Sequence, residues 1–200
     1  MPSPEVDIVE HKTVYQGYFR MDRYRLRHRK FDGGWTEEMV REVFERGHAV
    51  GVLLYDPDRD AVVLIEQFRV GAVAAGHPPW LIEVVAGIIG AGETEEEVAR
   101  RETHEEAGCV VTDMIRMCDY LVSPGGTSES TTLFCARVDS GNAGGIHGLA
   151  HEHEDIKVCV MPADEAIALL DANALDNAPA IIALSWLSRH RDAVRRQWLG

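Results

Sequence analysis

The apolar positions of this 200-residue chain fall into short dense runs divided by turn residues. AVGVLLY (49–55) and AVVLIEQF (61–68) flank Asp56-Pro57-Asp58, which predicts a hairpin of buried strands closed by a tight turn. WLIEVV (80–85), residues 109–122, TTLFCARV (131–138) and IKVCVM (156–161) read as further strands, with residues 71–79 as a loop. Upstream, residues 12–31 alternate aromatic, apolar and basic side chains, the pattern of one or two partly exposed strands ending at Asp32-Gly33-Gly34. Thr36-Glu37-Glu38 then opens a short helix or another strand. The clearest helix spans residues 94–107. Thr94 and Glu97 form a capping box, and Gly108 stands where a C-terminal glycine stop belongs. Two more helices are expected near the C-terminus, one with Pro162 in its first turn and one over about residues 179–189. Strands and helices in mixed order, with direct hairpins, imply an α/β chain whose mixed sheet is covered by helices.

Composition narrows the class. Hydrophobic residues at 46% and charged residues at 26% are globular values, and no apolar run reaches the length of a membrane span. The N-terminal residues lack a secretory signal pattern, and four dispersed cysteines without a CxxC pair suit a reducing, cytoplasmic setting. A net charge of −13 disfavours nonspecific nucleic-acid binding. An anionic substrate would have to meet selected arginines or metal ions.

The 94–107 helix concentrates the unusual charge. Residues 93–106 hold seven glutamates against two arginines, and Glu102, Glu105 and Glu106 share a face with Val98, Ala99 and Arg101. Carboxylates about 5 Å apart repel by roughly 3 kcal/mol at an effective dielectric near 20, so something positive belongs against that face. Oxygen ligands favour hard divalent ions. On spacing alone a solvated acidic helix and a cation site both stand.

Read from Gly87 to Cys109, GIIGAGETEEEVARRETHEEAGC has the spacing G-x5-E-x7-R-E-U-x-E-E-x-G-U, with U aliphatic. This resembles the signature box of Nudix hydrolases, which cleave nucleoside diphosphates linked to another group. Thr103 and Cys109 depart from it at aliphatic positions. WLIEVVAGII (80–89), SPGGTSE (123–129), GIHGLAHEHEDIKV (145–158), EQFR (66–69) and VFERGHAV (43–50) extend the likeness to bacterial ADP-ribose pyrophosphatases over roughly residues 12–190.

The resemblance implies a Nudix fold with a β-rich region at 1–47, serving dimerisation and substrate contact, and a hydrolase domain at 48–200. It implies Mg²⁺-dependent hydrolysis of ADP-ribose to AMP and ribose 5-phosphate, with Mn²⁺ as an alternative ion and two or three ions per site. Ala86, Glu102, Glu106 and Glu154 would hold the metals. Glu152 would be the general base, with Glu105 a second catalytic candidate. Tyr18, Phe19, Arg41, Arg46, Arg69, Ile88, Ser123 and Glu129 would meet the substrate. Gly87 would let the backbone approach the phosphates, and Glu93 would pair with Arg101. A cytoplasmic homodimer is implied, binding a small nucleoside diphosphate sugar and neither nucleic acid nor membrane. Another nucleoside diphosphate sugar as substrate, such as ADP-glucose or GDP-mannose, and a silent ADP-ribose sensor stand as alternatives. Taken by its residues, Arg69 reads equally as a surface arginine, Tyr18 and Phe19 as packing, and Glu129 as a strand cap. His147, His151 and His153 match no usual zinc spacing and read as solvated side chains of a mobile loop.

Overall fold

The computed structural model describes residues 5–200, which divide into two compact units. The first holds the described residues through His48 together with Leu121–Ser130. Its antiparallel sheet runs β1 (Val6–Gln16), β2 (Arg20–His28) and β3 (Met39–Glu45), in that order. Strand structure therefore begins at Val6, earlier than the alternation suggested, and the segment opened by Thr36 leads into a strand rather than a helix. Opposite charges across β1 and β2 favour this register: Arg27 pairs with Asp7 at 2.8 Å, and Asp22 is buried between Thr13, His11 and Arg20. The 121–130 segment joins this sheet where the Phe44 N–H donates to the Gly126 carbonyl at 2.8 Å.

The second unit is built on β4 (Ala49–Asp56), β5 (Ala61–Phe68), β6 (Trp80–Glu83), β7 (Val85–Ile88), β8 (Asp113–Leu121), β9 (Ser130–Arg137), β10 (Gly145–His147) and β11 (Ile156–Pro162). The sheet order is β10-β11-β5-β4-β9-β8, with β6 on β5 and β7 on β4, and β4 runs parallel to β9. Its helices are α1 (Val70–Ala74), α2 (Glu95–Ala107), α3 (Ala163–Asp171) and α4 (Ala178–Leu199). Alternate residues of β4 and β5 point to opposite cores. Val50, Val52, Leu54, Val63 and Ile65 pack with Val98 and Ala99 of α2, while Leu53, Tyr55, Val62 and Leu64 pack with Ala183, Leu184 and Leu187 of α4. Burial on both faces is why these strands read as continuous apolar runs. Gly51 faces Leu133, where an added Cβ would lie 2.5 Å from Leu133 Cδ2.

Four expectations are corrected. The 80–85 run is two strands rather than one, because the chain leaves β5 at Glu83 and joins β4 at Val85. The expected loop at 71–79 starts with the short α1. Residues 109–112 precede β8 rather than belong to it. The last helix continues to Leu199, ten residues past Arg189, because Val194 and Trp198 are buried in the same core. Pro162 stands at the N-cap of α3. No helix among the described residues is long and apolar enough to cross a membrane, and all four cysteines are free thiols.

Candidate functional site

Helix α2 starts and stops as its sequence dictates. Thr94 accepts from the Glu97 N–H and Glu97 returns a bond to the Thr94 N–H, while Gly108 closes the helix in the left-handed region at φ 62°. Its buried side chains are Val98, Ala99, Thr103, Glu106 and Ala107, so a carboxylate does sit on the apolar face. Thr103 satisfies its hydroxyl by donating to the Ala99 carbonyl at 2.7 Å. Cys109 is buried beside it.

Arg101 gathers the half-exposed acids. Its guanidinium bonds Glu93 (3.1 Å), Glu102 (2.7 Å) and Glu105 (3.2 Å), and Glu93 also accepts from the Gly90 N–H at 2.9 Å. The Glu93–Arg101 pair thus ties the turn before α2 to the helix. Gly87 also serves this arrangement. A Cβ there would fall 2.0 Å from Glu102 Oε1, so the missing side chain makes room for Glu102.

Glu106 is 3% exposed and bonds no basic side chain among the described residues; it accepts from the Ala86 N–H of β7 at 3.0 Å. Burial pushes its pKa up to about 8, and the nearby charges of Glu102 and Glu154 add to that effect. Burial also raises Glu102, against the pull of Arg101.

Arg69 follows β5 directly, and its charge reaches Glu106 and Glu154. Burial opposes that charge, and bonds to Glu83 restore and raise its basicity. Arg69, Gln67, Phe68, Val70 and Trp80 form one side of a cleft of about 460 Å³ whose other side is Glu152, His153, Glu154 and Asp155.

Residues 139–155 are rich in glycine and polar side chains. They contain β10 and a 3₁₀ turn at Ala150–Glu152. Glu154 closes the turn by accepting from the Leu149 N–H at 3.0 Å, and the Gly148 N–H donates to the Glu105 carbonyl at 3.4 Å. Gly144, Gly145, Gly148 and His153 all take positive φ, the bends that fold this segment back. His147 bonds the Gly144 carbonyl, and the His151 and Glu152 side chains point largely to solvent.

The second unit therefore brings together Arg69, Ala86, Glu102, Glu105, Glu106 and Glu154. Glu152 lies on the rim of the cleft, and Ile88 ends β7 half-exposed. In the first unit Phe19 packs edge-on to Tyr18 (4.8 Å) and Phe44 (5.1 Å), with the Arg46 guanidinium 5.6 Å from its ring and Arg46 3.5 Å from buried Glu129. Arg41 instead donates to the Val40 carbonyl, and the Ser123 carbonyl anchors the turn at Gly126 and Thr127. Glu83 was not singled out by sequence. Its signal was a charged residue inside an otherwise apolar strand.

Among the described residues, no three His, Cys, Asp or Glu side chains close around an ion by themselves. Clustered, half-buried carboxylates, with Glu102 and Glu106 held at raised pKa, nevertheless suit a hard cation that completes its shell with water and substrate phosphate, the usual habit of Mg²⁺.

Sequence comparison matches residues 45–184 to the NUDIX domain. The chain belongs to the NUDIX family. Within that family it is 47% identical to the ADP-ribose pyrophosphatase of Escherichia coli strain K12, over 97% of this chain and 93% of that protein. It is 40% identical to the ADP-ribose pyrophosphatase of Haemophilus influenzae, over 97% and 91%. A GDP-mannose pyrophosphatase of Pectobacterium atrosepticum shares 32% identity over 99% and 98%. The crystal structure of an ADP compounds hydrolase superposes with a TM-score of 0.73 over 96% of this chain and 97% of that one; at 20% identity this likeness is one of fold.

Proposed function

We propose that this NUDIX pyrophosphatase hydrolyses the diphosphate bond of ADP-ribose to AMP and ribose 5-phosphate in the presence of Mg²⁺. The observation that carries the reading is Glu106, a carboxylate buried on the signature helix, raised to about 8, and bonded to no basic side chain among the described residues. Such a group costs free energy when ionised unless a cation arrives with the substrate. The relatives named ADP-ribose pyrophosphatases, similar over nearly the full length, support the substrate.

Ala86 through its carbonyl, Glu102, Glu106 and Glu154 would hold the ions, two or three in number. A divalent ion bound there neutralises the diphosphate and lowers the pKa of water toward neutrality. Arg69 donates to phosphate oxygens. Glu152, exposed on the cleft rim, takes the proton from the attacking water as its loop folds over the substrate about Gly144, Gly145 and Gly148. Glu105 is already bonded to Arg101, which makes it the weaker base candidate. Within the first unit Tyr18, Phe19, Arg41, Arg46, Ser123 and Glu129, and within the second Ile88, are the remaining candidate substrate contacts. The exposed apolar residues Val6, Ile8, Val14 and Tyr15 of β1 support a homodimer joined through the 1–47 region, and free thiols suit a cytoplasmic setting. Light scattering tests the first; a monomeric mass refutes it.

A panel of ADP-ribose, ADP-glucose and GDP-mannose with Mg²⁺ tests the substrate, with AMP and ribose 5-phosphate expected from the first at the highest kcat/KM. The GDP-mannose pyrophosphatase relative supports the second reading, a different nucleoside diphosphate sugar, and preference for GDP-mannose would establish it. Binding of ADP-ribose without turnover would instead make the protein a sensor.

A further inference from the structure

Glu83 is only 8% exposed, at the end of β6, and no step above uses it. A carboxylate this deep is costly unless it is paired. Its oxygens accept from Arg69 Nη2 at 2.7 Å, from Arg69 Nε at 3.1 and 3.3 Å, and from Gln67 Nε2 at 3.2 Å. Gln67, Arg69 and Glu83 thus form one clamp across the β5–β6 ladder, in which Gln67 pairs with Leu81 and Ile65 with Glu83. The clamp occupies the Nε and Nη2 side of the guanidinium. Nη1 carries no hydrogen bond among the described residues, and Arg69 lines the cleft that Glu152 and Glu154 share.

The same guanidinium lies in the charge field of Glu106 and Glu154. Released from Glu83, it has two other carboxylates to turn to, both assigned above to the cation. A bidentate arginine–carboxylate pair is strong and directional, so the partner Arg69 keeps decides what the cation meets.

We propose that Glu83 is a positioning residue: it holds Arg69 with Nη1 available to the diphosphate and keeps that arginine off the metal-binding glutamates. The proposal rests on Arg69 being a substrate contact. Glu83 touches neither substrate nor ion in this account and acts wholly through Arg69.

The test compares the wild type with E83Q, E83D, R69A and the R69A/E83Q double variant. It reads KM and kcat for ADP-ribose and, separately, the thermal stabilisation produced by Mg²⁺ alone. E83Q is expected to raise KM about tenfold with kcat changed less, the loss of a charge-assisted contact. It is also expected to raise the half-saturating Mg²⁺ for thermal stabilisation several-fold, because the freed arginine competes for Glu106 and Glu154. Both effects vanish in the R69A background, where nothing remains to be positioned. E83D, which keeps the charge and withdraws it by one methylene, gives intermediate values; if E83Q fails to fold, E83D and R69A/E83D carry the same comparison. Equal KM and Mg²⁺ effects with and without Arg69 would mean that Glu83 is merely structural and would overturn the proposal. A defective R69A beside a normal E83Q removes the proposal alone. A normal R69A removes the substrate role of Arg69 and the proposal with it.

Discussion

Glu106 and Asp56 both expose almost no surface to water, 3% and 1%, yet their pKa values move in opposite directions. Burial pushes both upward. Asp56 ends β4 at the turn into β5, where the Ser140, Arg59 and Asp58 N–H groups, the Ser140 hydroxyl and the Arg59 guanidinium all donate to it. These donors outweigh burial and bring it down to about 2. Glu106 has one backbone donor and two acidic neighbours, and rises to about 8. One carboxylate is finished by its own chain. The other is left short of positive charge, at the place where the family signature puts its glutamates. A buried acid marks a functional site when its donors are missing, and burial alone does not distinguish the two cases.

The largest effect that sharpens this contrast belongs to Glu106→Gln. Turnover with Mg²⁺ should fall about a thousandfold or more, while the metal-free protein gains stability at pH 8. The sign follows from the raised pKa: between about 4.5 and 8 the folded chain holds a proton that the unfolded chain has lost, so ionising Glu106 costs stability as pH rises through that range. Melting in chelator at pH 5 and pH 8 measures this, and a Glu106→Gln protein that loses stability at pH 8 breaks the comparison. Next comes Glu152→Gln, expected to lower kcat about a hundredfold with KM little changed. Near-normal turnover would move the base to Glu105 or Glu154.

Asp56→Asn should leave turnover of the folded protein intact and cost about 2 kcal/mol of stability at neutral pH, judged by the size of its shift. In the wild type that contribution is present above pH 4 and lost as pH falls toward 2, because the folded pKa is depressed. Denaturant unfolding at pH 7 and pH 3 reads it; an equal deficit at both would contradict the assignment. Gly148→Ala is expected to reduce kcat by about tenfold or less with a small drop in melting temperature. Gly148 sits at φ 100° with Glu154 Cβ 2.6 Å from where its own Cβ would lie, so the change disturbs the loop carrying Glu152 and Glu154. The smallest effect is Thr103→Val, whose similar volume and lost hydroxyl bond should alter stability by about 1 kcal/mol or less and turnover not at all.

How much of the molecule was legible varies with the range of the interactions involved. Thr94, Glu97 and Gly108 bound α2 through contacts within one turn, so both ends could be read directly. The Glu93–Arg101 pair, implied by the family resemblance, is present at 3.1 Å. The break between β6 and β7 left no local trace, because Glu83 and Val85 pair with different strands. The last ten residues of α4 are mostly polar, and they stay helical because Trp198 packs near Tyr55, with ring centres 6.4 Å apart, and Arg191 bonds Asp60. Nor did any local pattern show that Gly87 makes room for Glu102, fifteen positions away.

From its residues alone, then, the chain determined the hairpin of buried strands, the limits of α2 and the acid-rich pattern that marks its family, since each depends on neighbours within a few positions. Tertiary structure decided which acids are exposed, which are satisfied and which arginine faces them. Acidity depends on burial and on the donors brought close in space, and strand pairing sets both. Arg69 and Glu83, fourteen residues apart, become one clamp only when β5 and β6 lie side by side.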